Sequence, residues 1–154
     1  MYGIYIIFFF ILLALINNIF FYNDNDTTSE IEIDNKYLPP GYLIGTIWII
    51  IFAILGFIYS KINIKNDKNY LSRISIMFFV AFCFMYGPLT IGKTSRFIKN
   101  YNYLSFIFLC TLYLIIQKSS LKYKYYLLPI FIWIGYISLL TLLDDLKYIN
   151  LYIN

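Results

Sequence analysis

Between Tyr42 and Tyr59 the chain carries no charge at all, and four other apolar runs take up most of the remaining length. A helix needs about 20 mostly apolar residues to cross the ~30 Å hydrocarbon layer of a bilayer. Runs of this kind predict an all-α integral membrane protein, one multi-pass domain over residues 1–154. Its helices are expected at about 2–21, 42–60, 71–89, 101–117 and 125–146. The fourth run is the least apolar, holding Ser105, Cys110 and Thr111, so four spans with that run re-entrant is the alternative. Tyrosines stand at many of the run ends, including Tyr22, Tyr42, Tyr59, Tyr70, Tyr101 and Tyr125, as aromatic belts do at membrane interfaces.

Composition agrees. Hydrophobic residues make up 61% of the chain and charged ones 13%, against about 25% charged in an average soluble domain. A soluble monomer of 154 residues could not hide that much apolar surface. The sequence contains no histidine, which excludes His-ligated metals, His-ligated haem and Ser-His-Asp chemistry. Two cysteines in apolar runs, Cys83 and Cys110, give neither a disulfide framework nor a metal set and read as buried thiols. The net charge of +4 is too small and too dispersed for nucleic acid.

The first connection is acidic, with Asp24, Asp26, Glu30, Glu32 and Asp34 against Lys36; the later ones are basic. Lys/Arg residues lean towards the side of the N-terminus, which favours a cytoplasmic N-terminus. The first run lacks the basic flank and small-residue cleavage site of a signal peptide and reads as a retained helix. Asn25-Asp26-Thr27 is a glycosylation sequon of the sort that arises by chance in an Asn-rich loop.

No charged residue falls in the middle third of any span, which argues against a pump or ion channel. The small polar residues inside, such as Thr46, Ser75, Ser105, Thr111, Ser138 and Thr141, read as packing or back-bonding groups. Asp144-Asp145 could suggest a carboxylate pair, but neighbours on a helix diverge by about 100°, and a solvated helix end is the better reading. In the second span Trp48, Phe52, Leu55 and Tyr59 form one aromatic-rich stripe, and Gly45 and Gly56 leave room for a close helix approach.

Pro39-Pro40-Gly41-Tyr42 opens this span, and the stretch from there to Gly56 resembles the second-helix motif of the TspO/MBR family. That family comprises the translocator proteins, also called tryptophan-rich sensory proteins or peripheral benzodiazepine receptors. Its motif reads approximately P-P-G-W-x-F-G-P-V-W-x-x-L-Y-x-x-M-G. Pro39, Pro40, Gly41, Gly45, Trp48 and Gly56 match it; Tyr42, Phe52 and Leu55 are similar replacements, and Thr46 stands at a proline position. Cys83, Tyr86, Pro88, Leu89 and Gly92 fall on the family's third-helix pattern. Pro129, Trp133, Tyr136 and Leu140 fall on the fifth-helix pattern, with Thr141 in place of asparagine. Both tryptophans of the chain occupy family tryptophan positions.

The resemblance implies a five-helix bundle, often a homodimer, with a pocket inside the helices beneath the first loop. It implies binding of porphyrins such as protoporphyrin IX or haem as ligands rather than required cofactors, with sterols as a further class. Tyr42, Trp48, Phe52, Cys83, Tyr86, Trp133 and Ile137 are the expected ligand-binding residues. No catalytic pattern and no metal site is expected; if the protein degrades porphyrin under light, Trp48 and Trp133 are the redox candidates. Transport or sensing of a bound porphyrin is the leading expectation. A porphyrin-degrading enzyme, and a diverged interaction protein without a pocket, are the alternatives. The sterol patterns Leu109-Tyr113-Lys118 and Lys122-Tyr125-Leu127 add little, since such matches arise easily in Tyr-rich termini.

Overall fold

A computed structural model describes residues 2–23, 39–62, 67–90, 94–119 and 121–153. The sequon Asn25-Asp26-Thr27 and Gly92 lie outside the described residues. The described chain is helical almost throughout, and no strand occurs in it. Five long helices carry the fold: α1 (Tyr2–Asn23), α2 (Gly41–Lys61), α3 (Asp67–Phe84), α5 (Ser95–Ser119) and α6 (Leu128–Ile153). A short helix α4 (Tyr86–Thr90) follows α3, and a 3-10 turn (Leu121–Leu127) leads into α6. Among the described residues three segments are long and apolar enough to cross a membrane: Tyr2–Ile19, Gly41–Lys61 and Lys122–Leu146. The apolar part of α3, Asn69–Phe84, is shorter. The fourth run lies in a continuous helix of 25 residues, antiparallel to both α3 and α6, and does not turn back on itself.

Local chemistry sets the helix ends. Pro40 is extended (φ −55°, ψ 145°) and caps α2, its carbonyl accepting from the N–H groups of Leu43 (2.9 Å) and Ile44 (3.2 Å). A proline here costs nothing, because the first helical N–H groups have no intrahelical partner. Thr94 starts α5 in the same way, its carbonyl accepting from Phe97 and Ile98. The expected third helix, 71–89, is broken at Met85. Pro88 has no N–H to give to the Phe84 carbonyl and its ring crowds that group, so α3 stops there and α4 begins. The chain bridges the break with Leu89 N–H to Met85 C=O at 3.0 Å.

Among the long helices α1 packs on α2, α3 on α5 and α5 on α6, and smaller contacts join α2 to α3 and α6 and α1 to α3. Every neighbour is antiparallel except where α3 meets α1, as the pairs Gly45–Asn18, Ser72–Ser119 and Asn102–Thr141 require. The middle is filled by Phe10, Ala14, Phe52, Leu55, Ile76, Cys83, Leu109, Leu112 and Trp133, while rows such as Phe8, Leu12 and Leu15 of α1 face outward. The expected polar back-bonds are present. Thr46, Ser75, Ser105, Thr111 and Thr141 each donate to the carbonyl four residues earlier, at 2.8–3.0 Å.

Chain direction gives the bundle one basic end. Among the described side chains, the end where α1 starts carries Lys61, Arg73, Lys118, Lys122 and Lys124 and no acid. Asp144 and Asp145 stand at the opposite end, with Arg96 and Lys99.

Candidate functional site

The expected ligand residues lie on four helices, α2, α3, α4 and α6. The stripe on α2 faces inward: Phe52 and Leu55 are fully buried, and Trp48 and Tyr59 pack against the same core. Trp48 and Phe52 meet edge-to-face, with ring centroids 6.2 Å apart. From α3 comes Cys83, a free buried thiol in that core. From α6 come Trp133, buried and tilted against Tyr136 at 6.2 Å, and Ile137, packed on the core from its edge. Tyr86 of α4 adjoins this group through its neighbours, edge-on to the Tyr101 ring at 5.3 Å and hydrogen-bonded to the Asn102 side chain. Tyr42 stands apart, 78% exposed at the start of α2.

Gly45 and Gly56 are used within the chain. A Cβ at Gly56 would meet the Ile7 Cα and Phe10 Cβ at 3.1 Å, and one at Gly45 would meet Asn18 Nδ2 at 3.1 Å. The absent side chains let α1 close on α2, and Asn18 Nδ2 then donates to the Gly45 carbonyl at 3.2 Å. Gly45 is therefore occupied by α1, while a Cβ at Gly41 would meet nothing within 4 Å.

A polar cluster between α5 and α6 overturns one expectation. Asp144 is no solvated helix end: it is buried, and its carboxylate meets Lys99 Nζ at 2.6 Å. Lys99, also buried, reaches Asp145 at 2.8 Å, and Tyr103 donates to the second Asp145 oxygen at 2.8 Å. One turn further in, Asn102 Nδ2 donates to Thr141 Oγ1 (3.2 Å), and Ser138 donates to the Asn102 carbonyl (3.4 Å). Across the bundle, Asn17 of α1 is 1% exposed and its Oδ1 has no hydrogen-bond partner. The sequence held a signal for this cluster. Lys99 and Asp144, like Asn102 and Thr141, share a midpoint at the start of the 3-10 turn, the constant sum of positions that an antiparallel α5–α6 pair brings together.

An open groove lies elsewhere, near the basic end between α2 and α3. It measures about 390 Å³ and is lined by Tyr59, Tyr70, Arg73, Ile74, Met77, Phe78 and Ala81. No group of three or more metal-ligating side chains occurs among the described residues. Comparison with protein-family models, with curated proteins and with solved structures finds no match for this chain.

Proposed function

We propose that this chain is a five-span membrane protein of the TspO/MBR type that binds a porphyrin or a related flat hydrophobic molecule inside its helix bundle. The observation that carries the reading is the convergence of Trp48, Phe52, Cys83, Trp133 and Ile137, from three separate helices, on one continuous core. Aromatic faces stack on a flat macrocycle, and apolar surroundings with a few polar groups suit such a ligand. With no histidine in the chain, a porphyrin is held by stacking and not by an imidazole on its metal. Asn102, Tyr86 and the unpartnered Asn17 carbonyl supply polar contacts at the same end. Exposed Tyr42 forms the rim. Carriage or sensing of the bound molecule follows from this reading, as does a homodimer; chemistry on the ligand would fall to Trp48 and Trp133.

One observation favours a second reading, a diverged scaffold. Phe52 and Leu55 are fully packed by their neighbours, and the open groove holds none of the expected ligand residues. The two readings separate by titrating protoporphyrin IX into protein in lipid nanodiscs while following tryptophan emission. Saturable quenching in the dark, weakened by Trp48→Phe or Trp133→Phe, supports the bundle site. Repeating the titration under light then tests for breakdown of the porphyrin. A folded protein that shows no saturable quenching is the scaffold.

A further inference from the structure

The groove at the basic end has a charge where a membrane helix should have none to spare. Arg73 follows the first residue of α3 by six positions, about 9 Å along the axis, and stands in the apolar segment Asn69–Phe84 near its basic end. Its guanidinium carbon lies over the Tyr59 ring, 4.1 Å from the centroid, and its Nε is buried without a hydrogen-bond partner. The carboxylates among the described side chains, Asp144 and Asp145, are both at the other end of the bundle. From Arg73 the groove runs about 12 Å along α3 to Ala81, walled by Ile74, Met77 and Phe78 and open to the bilayer.

We propose that this groove binds one anionic phospholipid. Arg73 takes the headgroup phosphate and an acyl chain lies along Ile74, Met77, Phe78 and Ala81. A guanidinium offers a fork of N–H donors that matches phosphate oxygens, and stacking on Tyr59 holds that fork ready. Exposed Lys61, Lys118 and Lys122 stand at the same end, where a leaflet rich in anionic lipid is attracted. Charge also decides between a lipid and a second copy of the chain. Two copies packed two-fold through this groove in one membrane would set Arg73 against Arg73 at the same depth, with no described acid to separate them. The proposal rests on the chain spanning the bilayer and is independent of the porphyrin reading.

Native mass spectrometry of the purified protein with phosphatidylglycerol or phosphatidylcholine of identical chains tests it. The wild-type protein should retain one phosphatidylglycerol through delipidation, about tenfold or more above phosphatidylcholine. Arg73→Gln should bring the two lipids level, Arg73→Lys should keep part of the preference, and Ala81→Phe should lower retention of both. Lys61→Gln and Lys122→Gln, whose ammonium groups lie outside the groove, should leave it unchanged. Equal retention of the two lipids by the wild type overturns the proposal, and so does a preference that survives Arg73→Gln. If Arg73→Gln fails to fold, Ala81→Phe decides, because undiminished retention there places the lipid elsewhere.

Discussion

Two helix pairs in this bundle are joined by opposite means. α1 and α2 meet through missing side chains: Gly56 lies against the backbone of Ile7 and the Cβ of Phe10, and Gly45 lies against Asn18. α5 and α6 meet through charge and hydrogen bonds: Lys99 with two aspartates, Asn102 with Thr141, and Ser138 with the Asn102 carbonyl. In lipid, apolar surface gives helices no reason to prefer each other over acyl chains. Contact must come from close van der Waals fit or from polar groups that lipid cannot satisfy. The first pair uses the former and the second the latter, so the same perturbation should act on them very differently.

The largest effect is expected from Lys99→Met, which leaves Asp144 buried without its cation and should cost about 3–5 kcal/mol in unfolding measured in nanodiscs or detergent. Adding Asp144→Leu should recover most of that loss, because a buried ion pair gains little over apolar packing once both charges are gone. A double variant as unstable as the single one would mean that the charges do more than neutralise each other. Next comes Gly56→Val, where the new methyl groups run into helix backbone and α1 must move away; about 1–3 kcal/mol is expected. Cross-linking between α1 and α2 should fall in this variant while α5–α6 cross-linking holds. Asn102→Leu removes side-chain hydrogen bonds to Thr141 and Tyr86 and should cost about 0.6 kcal/mol for each, the average for interhelical hydrogen bonds in bilayers. The smallest change should have the opposite sign. Asn17→Leu removes a buried carbonyl with no partner and should stabilise the protein by about 1 kcal/mol, read as a raised thermal midpoint. A lowered midpoint would show that this carbonyl meets a hydrogen-bond donor in the membrane.

Much of the architecture can be read from residues whose physics is local. The apolar runs give the helices to within a few residues at most ends, Pro39-Pro40 marks the start of α2, and the glycines mark the α1–α2 contact. Where expectation and structure part, long-range or neighbouring chemistry has intervened. Pro88 ends α3 from four residues away, and Asp144 looks solvated only until Lys99 is brought beside it by a turn that starts 22 residues after Lys99 and ends 17 before Asp144. The inward stripe on α2 was legible from spacing. The groove was not, because Tyr59 and Arg73 become neighbours only when α2 and α3 pack. Tyr42 illustrates a further limit: at the start of a helix, position along the stripe says nothing about which side chains will cover it.

The ion pair between α5 and α6 also imposes a timetable on biosynthesis. Lys99 precedes Asp145 by 46 residues, so at about 5–20 residues per second a ribosome makes the cation some seconds before its partner. For that interval α5 presents Lys99 without the two aspartates it meets in the folded chain, whereas the α1–α2 contact can form as soon as both helices have emerged. A nascent chain halted before Asp144 should therefore hold a settled α1–α2 hairpin beside an α5 that still exchanges with the aqueous phase.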